Sequence, residues 1–146
     1  MNVIESQLME LRNDRRARTS AWFFKTGEGE YGEGDRFLGV RVPEIRKIVK
    51  ANLKKSRLED AIHLLRSPWH EIRFAGLILM VELRKKATKH GDKKGEELIY
   101  RAYLRNKKYI NNWDLVDVSA RDIVGSYLLN RDRNVLYDLA KAKSIW

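Results

Sequence analysis

Ser67-Pro68-Trp69-His70-Glu71-Ile72-Arg73-Phe74-Ala75-Gly76-Leu77-Ile78-Leu79-Met80-Val81-Glu82-Leu83 is the stretch that decides the fold. Trp69, Ile72, Gly76, Leu79 and Leu83 follow one another at steps of three and four, the spacing of one helix face. The same spacing returns in Trp113, Val116, Ala120, Ile123 and Tyr127. Ser67-Pro68-Trp69 itself returns as Ser144-Ile145-Trp146, after a segment of similar apolar pattern. The copies lie about 33 to 44 residues apart, the range of two-helix HEAT-type repeats. Such units stack by burying an apolar face on the next copy, and they leave a concave surface. The expected fold is therefore all-α, a superhelix of HEAT-like repeats filling residues 1–146 as a single domain.

Working outward, the other segments agree. Ile4, Leu8 and Leu11 mark a first amphipathic helix, and Ala21, Trp22 and Phe24 a short second one. Lys25 to Asp35 holds four of the nine glycines and reads as a loop. Pro43 is expected at the first position of a helix through Ile45, Ile48 and Val49. Ser56 and Glu59 fit a capping box for a helix through Leu58, Ile62 and Leu65. Ser67 is expected to cap the next helix, with Pro68 in its first turn. Asp92 and Asn112 are expected to cap two further helices, and a last one runs from about Val135 to Ala142. No segment shows the two-residue alternation of a strand. The chain ends at Trp146, where a third copy would begin its second helix, so the sequence reads as the N-terminal part of a longer domain with an apolar flank open at its C-terminal edge.

Thirty Lys and Arg stand against 20 Asp and Glu, a formal net charge of +10. So basic a domain suits a polyanionic partner, most often a nucleic acid. The absence of Cys excludes a disulfide scaffold, a Cys-ligated zinc and a thiol nucleophile. The run Leu77 to Val81 is far too short to span a bilayer, and the polar N-terminus carries no signal-peptide run. An intracellular, cytoplasmic protein is the default expectation. Gly27-Glu28-Gly29-Glu30-Tyr31-Gly32 matches GxGxxG, but no strand precedes it and its glutamates would repel pyrophosphate, so no nucleotide cofactor is expected. His63, His70 and His90 have neither metal-ligand spacing nor a neighbouring nucleophile, and are expected as surface or capping residues.

Three stretches carry a resemblance to a known family. They are Phe24-Lys25-Thr26-Gly27 through Arg36-Phe37-Leu38-Gly39-Val40-Arg41-Val42-Pro43, then Ser67-Pro68-Trp69-His70-Glu71-Ile72-Arg73-Phe74-Ala75, and Ile110-Asn111-Asn112-Trp113-Asp114-Leu115-Val116-Asp117. Together they resemble the AlkD-like DNA glycosylases of the DNA alkylation repair enzyme family, over essentially the whole chain. The resemblance implies a right-handed α-α superhelix holding duplex DNA in a basic concave face. It implies hydrolysis of the N-glycosidic bond of cationic alkylated purines, of the 3-methyladenine and 7-methylguanine type. No metal and no organic cofactor is implied. The family's site also draws on an arginine shortly past the position of Trp146 and on a later aromatic, neither of which this sequence contains. Little or no activity is therefore expected of this chain by itself.

Alkylation at N3 or N7 makes the purine a good leaving group, and cleavage leaves positive character on the sugar. A carboxylate would stabilise that charge and orient a water, and an aromatic face would favour a cation. Trp113 and Asp117, four apart, share a helix face. The resemblance places them at the lesion as the catalytic pair. A Trp at a helix start can equally seal two repeats, as Trp69 is expected to do, and Asp117 can equally be a solvated or paired carboxylate. Its counterpart in the preceding copy is Arg73, not an acid. Trp22 reads either as an aromatic presented to DNA or as a core residue beside Phe23 and Phe24. Lys25, Arg41, Arg46, Lys47, Arg73 and Arg121 are the candidate phosphate contacts. The competing function is a non-catalytic HEAT-like scaffold that binds nucleic acid or protein.

Overall fold

The computed structural model describes all 146 residues, Met1–Trp146. The helices are α1 (Val3–Glu10), α2 (Asp14–Phe23), α3 (Val42–Asn52), α4 (Leu58–Leu65), α5 (His70–Lys89), α6 (Lys93–Arg105), α7 (Trp113–Ala120), α8 (Ser126–Leu128) and α9 (Asn134–Lys141). A 3₁₀ turn at Lys107–Tyr109 joins α6 to α7, and a π turn at Arg121–Gly125 joins α7 to α8. No strand forms; a single bridge pairs Arg36 with Trp69. No helix is long and apolar enough to cross a membrane.

The decisive stretch is the centre of this all-α array. Ile72, Ala75, Leu77, Leu79 and Met80 of α5 are fully buried. Around them α5 packs on α1, α3, α4, α6 and α7. A helix apolar on nearly every side must be enclosed by others, and that is its position here. Gly76 makes the closest of these packings. A Cβ there would sit 2.8 Å from Leu65 N and 2.9 Å from Ala61 O, so its hydrogen lets α4 lie directly on α5. Buried polar links fix the remaining layers. Asn2 caps α1 and donates to Asp60 of α4 at 2.9 Å. Tyr103 of α6 meets Ser119 of α7 at 2.9 Å, and Ser119 bonds back to Leu115 O.

The repeat seen in the sequence has a local counterpart. Ser67 Oγ accepts Trp69 N at 3.2 Å, and Ser144 Oγ accepts Trp146 N at the same 3.2 Å. Asp92 and Asn112 cap α6 and α7 as expected. Three helix starts differ from the sequence reading. Pro43 is the second residue of α3, because Arg41 takes the capping position and its N–H donates to Glu44. The box at α4 is Arg57 with Asp60, whose carboxylate accepts Arg57 N at 2.8 Å; Ser56 turns back to Asn52 O instead. Pro68 precedes α5, whose first residue is His70 and whose capping residue is Trp69. A cleft of about 560 Å³ lies between α6, α7 and α9, lined by Ile110, Val116, Val124, Leu139 and Trp146.

Gly76→Ala tests the close packing of α4 on α5. Alanine favours helix by roughly 1 kcal/mol over glycine. The clash with Leu65 and Ala61 backbone is expected to outweigh this and lower the unfolding free energy by about 1–3 kcal/mol. Denaturant unfolding checks the sign.

Candidate functional site

The strip 36–41 carries the chain from the glycine-rich loop into α3, and it is anchored at nearly every residue. Leu38 O accepts Asn13 N at 2.8 Å, and Gly39 O accepts Arg16 Nε at 2.7 Å. Gly39 has φ +79°, and a Cβ there would run into the backbone of Asn13 and Ala17. From α5 the buried Glu71 carboxylate accepts Leu38 N and Gly39 N, both at 2.8 Å. The strip is thereby fixed between α2 and α5 without a sheet to hold it.

Beside it lies a second buried group of charges. His70, the first residue of α5, is 2 % exposed. Its Nδ1 is 2.7 Å from Asp35 Oδ2, and its Nε2 is 2.6 Å from Asp114 Oδ2. Arg73, one turn along, places Nη2 at 2.8 and 2.9 Å from the two Asp35 oxygens and at 3.2 Å from Asn111. Burial works to raise the Asp35 carboxyl, but the His70 hydrogen bond and the Arg73 charge outweigh it and hold the pKa below the ordinary value. Burial likewise works to lower the His70 imidazole, but its hydrogen bonds to Asp114 and Asp35 and their charges hold its pKa above the ordinary value. Both imidazole nitrogens face carboxylates, and no set of three His, Asp or Glu side chains is arranged to hold a metal ion.

An aromatic stack joins this group to the surface. The His70 ring lies 4.6 Å from Phe37 and 5.0 Å from Phe24. Phe24 in turn stacks on Trp113 at 5.4 Å with 27° between the rings, and Phe23 meets Trp113 edge-on at 6.3 Å. Trp113, first residue of α7, keeps 38 % of its surface exposed. Asp117 follows one turn later on the same face and is exposed. The start of α7 is stiffened by Asn112, whose side chain accepts Trp113 N at 2.8 Å, and by Asp114, which accepts Leu115 N at 2.8 Å. The π turn begins at Arg121, four residues beyond Asp117.

Residues 4–146 match the family model described as DNA alkylation repair enzyme. The chain belongs to that family. Comparison with curated proteins and with solved structures returned no match. For a DNA alkylation repair enzyme, the placement of the expected site residues is informative. Trp113 and Asp117 come together on an open face, with the C-terminal end of α2 beside them through Phe23. Trp22 is 74 % exposed there, so its core alternative fails, and Lys25 lies over its ring at 5.4 Å. Arg41 is exposed and borders the cavity shared by Phe24, His70 and Asp114. Arg46 and Lys47 are exposed along α3, and Arg121 is exposed on the α7 side.

Arg73 is the correction. At 5 % exposure, with its guanidinium engaged by Asp35, it is a buried structural cation and not a phosphate contact. His70 is the second correction, since it is neither a surface nor a capping residue. His63 and His90 are exposed as expected, the first against Glu5 and the second bonded to Lys86 O. In the glycine-rich loop, Glu30 accepts Gly27 N and Glu33 accepts Gly29 N, both at 2.9 Å.

The buried quartet sets a pH window. The raised His70 pKa contributes stability that is complete below its unfolded value of 6.5 and is lost as pH rises through the folded value. The lowered Asp35 pKa contributes stability that is complete above its unfolded value of 3.8 and is lost as pH falls through the folded one. Unfolding free energy is expected to be highest between those limits and to decline on both sides, as read by denaturant unfolding at a series of pH values. Asp35→Asn, which leaves Arg73 and His70 short of a buried counter-charge, is expected to cost about 3–5 kcal/mol in the same measurement.

Proposed function

We propose that this face hydrolyses the N-glycosidic bond of cationic alkylated purines in duplex DNA, and that Trp113 and Asp117 carry the reaction. The observation that bears most weight is the open pairing of an indole with a carboxylate one turn away, in a member of a DNA alkylation repair family. In the proposed step the C1′–N bond of the lesion breaks and its electron pair passes to the ring system, which cancels the positive charge on the purine. Asp117 stabilises the cation left on the sugar and orients a water. The water oxygen bonds to C1′ and its proton leaves to solvent. Trp113 packs its outer face on the lesioned nucleotide, where a cation favours an indole. No metal or organic cofactor takes part in this scheme.

The duplex is held by its phosphates. Lys25, Arg41, Arg46, Lys47 and Arg121 are exposed cations that would contact phosphates, and Trp22 with Lys25 would meet the backbone beside the lesion. Contacts of this kind release counterions, so affinity should fall steeply with salt. This reading sets the protein to work on DNA in the cytoplasm, where a superhelix of stacked helix pairs would offer a duplex its concave face.

Release of 7-methylguanine from methylated duplex under single-turnover conditions is the test. A chain extended past Trp146 by the family's later repeats is expected to release base above background, and Asp117→Asn in it to lower the rate by about 10²–10³-fold with the salt-dependent duplex affinity retained. Salt-sensitive duplex binding with no release by that extended chain would favour the scaffold reading. Near-normal release by Asp117→Asn would remove Asp117 from the reaction.

A further inference from the structure

The contacts of His70 call for two ring protons. Its nitrogens lie 2.7 Å from Asp35 and 2.6 Å from Asp114. Neutral imidazole has a single N–H, so one of these contacts would set a lone pair against a carboxylate oxygen. With both nitrogens donating, each contact becomes a charge-assisted hydrogen bond of ordinary length. The charges then balance, Asp35 and Asp114 against His70 and Arg73. The side chains of His70, Asp35 and Asp114 are 3 %, 4 % and 15 % exposed, so an excess negative charge among them would be poorly solvated.

The three partners belong to three separate pieces of chain. Asp35 ends the glycine-rich loop, His70 begins α5, and Asp114 is the second residue of α7. Asp114 follows Trp113 directly and precedes Asp117 by three residues, so whatever holds Asp114 sets where both stand. We infer that His70 is a positioning residue for the Trp113–Asp117 face, its imidazolium tying the first turn of α7 to α5 and to the end of the loop. The inference rests on the reading of Trp113 and Asp117 given above.

The other charged groups around the imidazole do not replace it. Arg73 engages Asp35, Glu71 is occupied by the 36–41 strip, and Arg16 is bonded to Gly39 O. Arg41 borders the same cavity from the start of α3. Once the second proton leaves, Asp114 loses its partner on α5. The first turn of α7 then keeps its cap at Asn112, the stack of Trp113 on Phe24 and the burial of Leu115, none of which engages the Asp114 carboxylate.

Long-range ¹H–¹⁵N spectra of the full chain read the His70 ring and the Trp113 indole together. Both His70 nitrogens are expected to be protonated at about pH 7, and the Trp113 indole resonance to shift in His70→Gln, which can donate to only one side with the same geometry. In the extended chain, single-turnover release of 7-methylguanine by His70→Gln is expected to fall about tenfold to a hundredfold, with the duplex Kd within about twofold of wild type. A singly protonated His70 at that pH, or a Trp113 resonance unaltered in His70→Gln, would overturn the inference. If the extended chain releases no base, the functional reading fails alone, and the two resonances still decide the role of His70. Should His70→Gln not fold, the protonation state of the wild-type ring decides it.

Discussion

Everything at the candidate site hangs on charges buried in balance. Burying two carboxylates beside an apolar helix core is costly unless each finds an opposite charge and its hydrogen bonds. Asp35 finds Arg73 and His70, and Asp114 finds His70 and the amide of Leu115. The pairing does more than offset desolvation. It joins the loop, α5 and α7 at one point, which no apolar contact could specify so narrowly. The aromatic rings of Phe24 and Phe37 then close over the imidazole and carry the order outward to Trp113. A surface residue is thus held in place from below.

The sequence made the fold legible because α5 obeys one rule throughout. Its three-and-four spacing, repeated from Trp113 onward, is a period that no strand shares, and the helices lie where it falls. Helix starts were less legible. At α4 a serine and a glutamate were available for the box, yet Arg57 and Asp60 took it, since Ser56 is used by the preceding turn and Asp60 is also the partner of Asn2. Such choices depend on contacts between residues far apart in the chain, which local pattern does not carry.

The candidate site divides in the same way. Trp113 and Asp117 could be paired from the sequence because both lie on one turn of one helix, and both are exposed there. His70 was misread because its partners, Asp35 and Asp114, come from 35 and 44 residues away. A signal for half of that network did exist. His70 follows Trp69 as Asp114 follows Trp113, so the two occupy the same place in successive copies of the repeat. Equivalent positions of stacked repeats meet across the interface between them. A cation in one copy and an anion in the next, at the residue after Trp, is the pattern of a bridge between repeats. Arg73 was misread for a related reason. Net positive charge suggests a polyanion outside, but it does not say which cations are spent on carboxylates inside.

The contrast between the two aspartates of α7 is where fold and chemistry separate. Asp114 and Asp117 are three residues apart on one short helix, yet one helical turn gives them different surroundings. Asp114 gives one oxygen to the helix amide of Leu115 and the other to His70, and so is tied into the structure on both sides. Asp117 lies in solvent beside a half-open indole, with its oxygens available to a water or to developing positive charge. Two carboxylates set apart by environment, one bound and one free, form a pattern that recurs where one fixes geometry and the other meets substrate. On this helix the division needs no difference in residue type. It follows from which side of the turn faces α5.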